Sequence, residues 1–344
     1  MNKKVAVALS GGVDSSVTAY LLKQQGYDVV AITGKMVNSD NADIIIQNAK
    51  SVADYLGIKH YTIDATKEFQ EKVINYFDNS YKSGETPNPC IMCNKFIKWG
   101  MLFDFAINEL NADYIATGHY ANIKQDGNFY KLYPAKDTNK DQLYFLFQLN
   151  QAQLSKTLFP LFEYEKAEIR EIALKNNLPS KSSKESQDIC FIQKPMTTKK
   201  YLLERIKPQQ GNFVEISTGK ILGRHEGYFQ YTIGQRKGIG IAAPEPLYVI
   251  DIDAGQNIVY VGNKEATYKD ELTLKDFNSS YPIENNEFDA LVKIRYNMKP
   301  VKAHVTINDT VNIKFIEPVN SIAKGQACVL YDINDGHLIG GSFI

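Results

Sequence analysis

The pattern of hydrophobic and polar positions divides the chain into two parts. In the first part, short apolar runs alternate with segments of helical periodicity. The segments predicted as strands are residues 4–9, 28–33, 59–65 and 113–118. The segments predicted as helices are residues 15–26, 42–57, 69–84 and 94–110. Strands separated by helices of this length predict a parallel sheet with helices on both faces.

The second part, from about residue 200 onward, has a different pattern of hydrophobic and polar residues. Residues 228–241 and 246–262 are alternating segments punctuated by glycines, which is typical of a compact β-rich unit. Beyond about residue 271, apolar and polar residues alternate at strand spacing, which indicates an antiparallel barrel or sandwich. We therefore predict three units, an α/β unit, a central β-rich unit and a C-terminal antiparallel β-barrel, over residues 1–200, 201–270 and 271–344.

Composition places the chain among ordinary globular proteins. Of its 344 residues, 44% are hydrophobic and 23% are charged, and the formal net charge is zero. No apolar stretch reaches the ~18 residues that a membrane span needs, and the first residues lack the features of a secretory signal. We therefore expect a cytoplasmic, reducing location, where disulfides are rare.

Two stretches depart from this neutrality. Residues 166–207 contain ten Lys or Arg against five Asp or Glu, and residues 293–302 contain four basic residues and no acidic one. A solvated surface is the ordinary explanation of each stretch taken alone. Together they indicate a polyanionic partner, although the zero net charge argues against a strongly basic nucleic-acid binder.

The segment SGGVDSS follows the first predicted strand and opens the first predicted helix. At such a junction, backbone N–H groups and the helix dipole bind phosphate. Gly11 and Gly12 allow the backbone to approach an anion closely, and Asp14 can hold a magnesium ion. The segment is not a Walker loop, because no Gly-Lys-Ser/Thr follows. A tight turn without a ligand is the alternative.

The segment NPCIMCNK contains Cys90 and Cys93, in a chain whose two other cysteines are Cys190 and Cys328. Such a pair is typical of a metal site, a redox couple or an activated nucleophile, or it packs in a core. Structural zinc needs four ligands, and the sequence has no second CxxC and no His pair at zinc spacing. A helix that starts behind Pro89 would lower a thiol pKa, as in a thioredoxin-like couple. We expect Cys328 to pack in the core of the C-terminal unit.

Several motifs together resemble one family. SGGVDSS is similar to the pyrophosphate loop of ATP pyrophosphatases, which adenylate a carbonyl oxygen and release pyrophosphate. The chain also resembles the bacterial tRNA-specific 2-thiouridylases, in order and over nearly its whole length, in the motifs GETPNPCIMCNKFIKW, ADYIATGHYA, NKDQLYFL, SQDICFI, TIGQRKGIGI and GGSFI.

This resemblance implies a pyrophosphate-loop ATP-binding domain, a central β-rich domain and a C-terminal β-barrel. It implies ATP-dependent 2-thiolation of the wobble uridine, U34, in the tRNAs for Lys, Glu and Gln. ATP with Mg²⁺ converts the poorly departing C2 oxygen into an adenylate, and a sulfur nucleophile then displaces AMP. The implied sulfur source is a persulfide donor, such as a cysteine desulfurase or a relay protein. Neither a membrane nor DNA is an implied partner.

The same resemblance implies the residues of the site. Cys93 is implied as the nucleophile and Cys190 as the carrier of the persulfide. The implied ATP contacts are Ala8, Leu9, Ser10, Gly11, Gly12, Val13, Asp14, Ser15, Gly34 and Gly118. The implied contacts to tRNA and its target base are Asn88, Pro89, Cys90, His119, Lys140, Asp141, Gln142, Arg295, Tyr296 and Gln326. Without the resemblance, a surface histidine would explain His119, and an ordinary polar turn would explain NKDQ.

The chain departs from the family at Cys90, where the family usually has Asp. That Asp is the expected helper to the cysteines, so its role in this chain is in question. Cys90, Cys93 and Cys190 together supply three thiols, which suit a [4Fe–4S] cluster with one iron left open. A persulfide on Cys190 and a cluster on the three thiols both stay open as sulfur carriers.

Two other classes of function are consistent with parts of the sequence. A different pyrophosphate-loop ligase would need no thiol, so alanine at Cys90, Cys93 or Cys190 would have no effect on it. A non-catalytic RNA-binding module would tolerate the loss of Asp14 and Ser15.

Overall fold

The computed structural model describes residues 2–183 and 189–344, so residues 186–188 of the motif SQDICFI lie outside the described part. The strands in chain order are β1 (Lys4–Ala8), β2 (Asp28–Lys35), β3 (Lys59–Asp64), β4 (Tyr114–Ala116), β5 (Asn122–Asp126), β6 (Phe129–Tyr133), β7 (Thr157–Leu158), β8 (Gly211–Glu215), β9 (Ile221–His225), β10 (Tyr248–Asp253), β11 (Ile258–Gly262), β12 (Tyr268–Leu274), β13 (Asn278–Ser279), β14 (Glu287–Lys293), β15 (Val301–Ile307), β16 (Val311–Asn320), β17 (Ala327–Asp332) and β18 (Leu338–Phe343).

The helices follow the same order. The α-helices are α1 (Val13–Gln24), α2 (Asp40–Leu56), α3 (Thr66–Phe69), α4 (Asn75–Lys82), α5 (Pro89–Met92), α6 (Gln151–Leu154), α7 (Lys166–Lys175) and α8 (Thr198–Leu203). Three segments are π-helical, namely Gln70–Ile74, Cys93–Leu102 and Phe105–Glu109. Within the described ranges, no helix combines the length and the apolar character that crossing a bilayer requires.

The sheet of the first domain confirms the predicted parallel arrangement. Its strands lie in the order β3-β2-β1-β4-β7, and each neighbouring pair is parallel. The chain leaves β1 toward β2 on one side and later returns to β4 on the other side. The crevice where the strand order reverses in this way is the usual ligand site of such sheets. The segment SGGVDSS lies at this crevice, because it follows β1.

Alternate residues of β1 face the two sides of the sheet. Val5 and Val7 pack in a core cluster with residues of α1, α2 and α7. Ala6 packs on the other face with Ile97 and Leu102, which belong to the π-helical segment behind Cys93. All of these side chains are buried. The central strand therefore has helices on both faces, as the sequence pattern predicts.

The cysteine-bearing helix begins at Pro89, which agrees with the predicted helix start at this proline. The side-chain oxygen of Asn88 accepts the N–H of Cys90 at 3.2 Å, and Pro89 occupies the first helical position. After one α-helical turn the backbone continues as a π-helix from Cys93 to Leu102. Such i→i+5 segments are rare in proteins, and those that occur are often found at functional sites.

Strands β5 and β6 form a separate antiparallel pair, and strands β8 to β18 form the two predicted β units. Strands β8 to β11 form a four-stranded sheet in the order β10-β11-β8-β9. Strands β12 to β18 form a seven-stranded antiparallel sheet that curls around its own core. Along β16, Val311, Ile313 and Phe315 are buried while the residues between them are exposed, which gives the alternation of a one-sided strand. Cys328 on β17 is fully buried, as expected.

The first domain and the C-terminal barrel share a hydrophobic cluster. Trp99 of the π-helical segment packs in it together with Val329 and Leu338 of the barrel. The hydroxyl of Tyr144 donates to the carbonyl oxygen of Ala327 at 2.8 Å. The barrel therefore supports the helix that carries Cys90 and Cys93. The exact domain boundaries stay a prediction.

Candidate active site

The phosphate loop lies at the carboxyl end of β1 and leads into α1. Gly11 has a φ of +74°, and a Cβ at this position would lie 2.7 Å from the Cβ of Asn48, so only glycine fits. The hydroxyl oxygen of Ser15 accepts the N–H of Ser10 at 3.2 Å and fastens the loop. The loop thus presents the start of a 12-residue helix, whose free N–H groups and dipole suit an anion.

Asp14 in the first turn of α1 is held by two side chains from distant segments. The ammonium of Lys166 lies 2.6 Å from each of its carboxylate oxygens. The hydroxyl of Tyr120 donates to one of these oxygens at 3.0 Å. The side chains of Lys166 and Asp14 are only 12% and 30% exposed. The carboxylate that was predicted to hold magnesium is therefore paired with the Lys166 ammonium. Its surroundings suit a bound positive charge, so Asp14 fits the predicted magnesium ion.

Gly34 and Gly118, two implied ATP contacts, lie at the carboxyl end of the sheet. A Cβ on Gly118 would lie 2.8 Å from the backbone nitrogen of Ser15, so this glycine allows the chain to pack against the start of α1. A Cβ on Gly34 would lie 3.0 Å from the Cε of Met36. Gly118 therefore has a clear packing role at the phosphate loop.

A cavity of about 650 Å³ lies against the phosphate loop. This volume is in the range of sites that bind nucleotide-sized ligands. Besides residues 10–15, its walls include Lys166 and Arg170 from α7 and the segment around Cys190. Gln142, an implied tRNA contact, also lines it. The cavity thus joins a phosphate loop, the two cationic side chains of α7 and a thiol that are far apart in the sequence.

Three of the four cysteines are close enough to interact electrostatically. Burial, together with negative charge on Cys93 and Cys90, raises the pKa of Cys190 to about 12. Cys90 and Cys190 are exposed, and Cys93 is half-buried. The fold therefore brings the implied catalytic pair together with Cys90, whereas Cys328 lies in the barrel core.

Burial also raises the pKa of the other two thiols, that of Cys93 to about 11. Protein surrounds Cys90 and Cys190 on most sides, although part of each residue reaches solvent. The Lys98 ammonium lowers the pKa of all three thiols and so opposes the burial effect. The lowered pKa expected from the helix start behind Pro89 is wrong, because the loss of hydration outweighs a four-residue helix.

His119 is buried rather than on the surface, with only 7% of the residue exposed. Its Nδ1 lies 2.7 Å from the hydroxyl of Thr117, and its Nε2 lies 3.2 Å from the ammonium of Lys98. An ammonium can only donate, so Nε2 accepts and Nδ1 carries the proton. Burial, with a contribution from Lys98, lowers the pKa of His119 well below its usual value. The ring is therefore neutral at neutral pH, and the interpretation as a surface histidine is wrong.

The other implied tRNA contacts include residues that connect the first domain to the barrel. The hydroxyl of Tyr296 donates to the backbone oxygen of Asp141 at 3.1 Å, and the side chain of Gln326 donates to the carbonyl oxygen of Thr86 at 2.7 Å. Burial raises the pKa of Asp141 to about 6. Arg295 directly precedes Tyr296, and Lys140 and Gln142 flank Asp141. Much of this set therefore lies near one interdomain boundary.

The sequence alone does not reveal the positions of Lys98, Tyr120 and Lys166 in this site. Lys98 and Tyr120 lie inside recognised motifs, but nothing in their spacing shows that they face the thiols or Asp14. Lys166 is 152 residues from its partner Asp14, and such a pair leaves no local signal. Covariation of the two positions among aligned relatives is the signal that would have revealed it.

The described residues contain one compact group of potential metal ligands, Asp332, Asp335 and His337, whose ligand atoms lie within 4.8 Å of one another. Asp332 accepts the N–H groups of Asn334 and Asp335 at 2.8 and 3.0 Å, so the group organises its own turn. The three thiols are not such a group, which argues against a single-ion site. A [4Fe–4S] cluster is compatible with wider spacing, because each thiol binds a different iron.

Three family profiles match successive parts of the chain. The profile described as tRNA methyl transferase HUP domain matches residues 3–194, which is more than half of the chain. The profile described as tRNA methyl transferase PRC-barrel domain matches residues 199–263. The profile described as Aminomethyltransferase beta-barrel domain matches residues 269–344.

Relatives that match over the full length carry a more specific name. The tRNA-specific 2-thiouridylase MnmA 2 of Thermoanaerobacter sp. (strain X514) is 43% identical over 100% of this chain and 98% of its own length. The tRNA-specific 2-thiouridylase MnmA of Hydrogenobaculum sp. (strain Y04AAS1) is 44% identical over 99% of each chain. Among solved structures, the U34-tRNA thiolase NcsA from Methanococcus maripaludis with its [4Fe-4S] cluster is 24% identical, covers 55% of this chain and 59% of that chain, and has a TM-score of 0.37. Identity above 40% across the whole of both MnmA relatives means that this chain belongs to the tRNA-specific 2-thiouridylase family.

Proposed function

We propose that this chain catalyses the ATP-dependent 2-thiolation of the wobble uridine, U34, of tRNA. The observation that carries the proposal is the cavity shared by the phosphate loop and Cys190. An enzyme that only adenylates needs no thiol at that place, and a sulfur carrier needs no phosphate loop. Membership of the thiouridylase family supports the same reaction. By family resemblance, the substrates are the cytoplasmic tRNAs for Lys, Glu and Gln.

The first half of the reaction uses the phosphate loop. Residues 10–15 hold the polyphosphate of ATP through backbone N–H groups, and the carboxylate of Asp14 would hold Mg²⁺, which would offset negative charge on the phosphates. The C2 oxygen of the uracil attacks the α-phosphorus, the bond to the β-phosphate oxygen breaks, and pyrophosphate leaves. The C2 oxygen then departs as part of AMP, which is a far better leaving group.

The second half uses the thiols. A donor protein, such as a cysteine desulfurase or a relay, leaves a persulfide on Cys190, and its terminal sulfur attacks C2 and displaces AMP. The thiolate of Cys93 then attacks the Sγ of Cys190, which breaks the bond to the transferred sulfur and releases 2-thiouridine. The products include a Cys93–Cys190 disulfide, which a dithiol reductant must reduce before the next cycle.

The tRNA contacts are assigned by position in the family motifs. Asn88, Pro89, Cys90 and His119 are assigned to the target base, since they lie around the thiols. The loop of Lys140, Asp141 and Gln142 and the barrel residues Arg295, Tyr296 and Gln326 are assigned to the rest of the tRNA. Arg295 with the adjacent aromatic ring of Tyr296 offers a charge for phosphate and a surface for stacking.

A [4Fe–4S] cluster on Cys90, Cys93 and Cys190 is the second candidate for the sulfur carrier. The three thiols interact electrostatically, and two of them are exposed, so the donor set fits a cluster beside the cavity that Cys190 lines. Three protein ligands leave one iron open, and such a cluster would supply that open position for an inorganic sulfur ligand. Only this candidate requires Cys90, because the persulfide route uses Cys93 and Cys190.

The change Cys90→Asp separates the two candidates. If the persulfide carries the sulfur, the variant restores the family residue, and thiolation with a persulfide donor should stay within about threefold of the unchanged protein. If the cluster carries it, anaerobically purified protein should be brown with about four iron and four sulfide per chain, and Cys90→Asp should lose the colour.

Iron content, absorbance near the visible shoulder of the cluster and 2-thiouridine yield would be measured on the same samples. Cys328→Ala is the matched control, since this thiol is buried in the barrel and should change neither colour nor yield. Iron-free anaerobic protein that still thiolates tRNA would contradict the cluster.

The proposed function itself is tested by reconstitution. The full chain would be incubated with unmodified tRNA for Lys, ATP, Mg²⁺ and a persulfide-loaded cysteine desulfurase, or anaerobically with sulfide. Nucleoside mass spectrometry should then detect 2-thiouridine at position 34, with one AMP released per modified base. A tRNA in which U34 is replaced by cytidine is the control. Failure to form 2-thiouridine with either sulfur source would contradict the proposal.

A further inference from the structure

The phosphate loop of this chain has no cation of its own. A Walker loop ends in Gly-Lys-Ser/Thr and supplies a lysine to the phosphates, whereas SGGVDSS supplies a carboxylate, Asp14. A polyphosphate in the adjoining cavity would place several negative charges close to this carboxylate. Positive charge for the ligand must therefore come from another part of the fold.

Helix α7 offers that charge. Lys166 and Arg170 are four residues apart, so they lie on one face of the helix, and both line the cavity against the loop. The helix rotation is fixed, because Ile169 and Ala173 are fully buried in the core that α7 shares with α1. The pair Lys175 and Glu171 is more than 60% exposed and does not line the cavity.

Lys166 and a divalent cation compete for the same carboxylate. The ammonium of Lys166 lies 2.6 Å from both oxygens of Asp14, so it occupies the side of the carboxylate that a cation would bind. A cation bound to Asp14 must share or displace this ammonium. An ammonium displaced from Asp14 would remain beside the loop, since its stem is anchored at the first residue of α7.

We propose that Lys166 and Arg170 form a polyphosphate clamp, and that Lys166 moves from Asp14 to the phosphates when Mg²⁺ binds Asp14. The inference deepens the proposed function, since it rests on the binding of ATP in this cavity. Mg²⁺ and the nucleotide would then bind cooperatively. Mg²⁺ releases the Lys166 ammonium from Asp14, and the polyphosphate then binds this ammonium. Lys194 also lines the cavity, but it belongs to the segment after Cys190 and not to α7, so we do not include it in the clamp.

The test measures two ligands whose affinities should change in opposite directions. Binding of inorganic pyrophosphate to the full chain would be followed by calorimetry in the presence of Mg²⁺, and binding of Mn²⁺ alone by electron paramagnetic resonance. In Lys166→Met, pyrophosphate should bind roughly tenfold more weakly and Mn²⁺ roughly tenfold more tightly, since the competing ammonium is gone. In Arg170→Met, pyrophosphate should weaken by a similar factor while Mn²⁺ binding stays unchanged.

Lys175→Met is the matched control on the same helix and should alter neither affinity, and thermal melts would confirm that all variants fold. Loss of structure at the site would weaken both ligands, so tighter Mn²⁺ binding in Lys166→Met distinguishes exchange from damage. Unchanged or weaker Mn²⁺ binding in Lys166→Met would overturn the exchange, and unchanged pyrophosphate affinity in both cavity variants would overturn the clamp. Neither measurement involves tRNA or sulfur. A working clamp in a chain that makes no 2-thiouridine would therefore contradict only the proposed function.

Discussion

Replacing Cys190 by serine is expected to abolish the formation of 2-thiouridine while leaving the release of pyrophosphate in the presence of tRNA. The serine hydroxyl has nearly the same size, so the cavity keeps its shape, but it cannot carry a persulfide sulfur or ligate iron. Adenylation depends on the phosphate loop and not on the thiol. Nucleoside mass spectrometry and a pyrophosphate assay on one reaction mixture would measure the two halves separately.

Cys93→Ser should have the same outcome, because either sulfur route needs both thiols. Cys328→Ala is the control, since Cys328 is fully buried on β17 and takes no part in the cavity. Its loss should lower stability by about 1 kcal/mol without affecting the reaction. If Cys190→Ser continued to produce 2-thiouridine, Cys190 could not be the sulfur carrier. The cavity that Cys190 shares with the phosphate loop would then no longer support the proposed function.

The strand bounds of the first domain could be predicted closely from hydrophobic periodicity because of the architecture of this domain. The strands β1 and β2 have helices on both faces and read as short apolar runs, and β1, β2 and β3 lie within two residues of their predicted bounds. The edge strand β3 has no buried residue, and its prediction rests on its place in the alternation of strands and helices. The start of the helix at Pro89 was predicted, but its winding beyond Cys93 was not. Periodicity of 3.6 residues describes an α-helix, and a π-helix from Cys93 to Leu102 follows a different repeat.

The site could be predicted only in part. The phosphate loop is a local signal, because the strand, the glycines and the helix are contiguous. The meeting of Cys190 with Cys93 and of Lys166 with Asp14 depends on long-range folding, so only the family resemblance indicated the first pair and nothing indicated the second. The direction of the thiol pKa values was also wrong, since burial is a property of the tertiary structure and outweighs the local helix start.

Asp14→Ala is expected to abolish adenylation and to leave tRNA affinity largely intact. The variant removes the carboxylate that is to hold Mg²⁺ against the polyphosphate, and it leaves the Lys166 ammonium, only 12% exposed, without this partner. Loss of a metal-bridging carboxylate typically lowers the rate of phosphoryl chemistry by roughly a hundredfold or more. Release of pyrophosphate with tRNA present and tRNA binding by gel shift would be measured for the same preparation.

Tyr120→Phe provides the matched comparison for this carboxylate. It removes the hydroxyl that donates to Asp14 at 3.0 Å and keeps both the charge and the ring. One hydrogen bond to a charged group contributes about 1.5–3 kcal/mol, so adenylation should fall by roughly tenfold rather than vanish. We therefore expect Tyr120→Phe to retain more adenylation activity than Asp14→Ala. Undiminished pyrophosphate release from Asp14→Ala would mean that the cation binds elsewhere in the cavity, and equal damage by both variants would mean that the orientation of Asp14 matters as much as its charge.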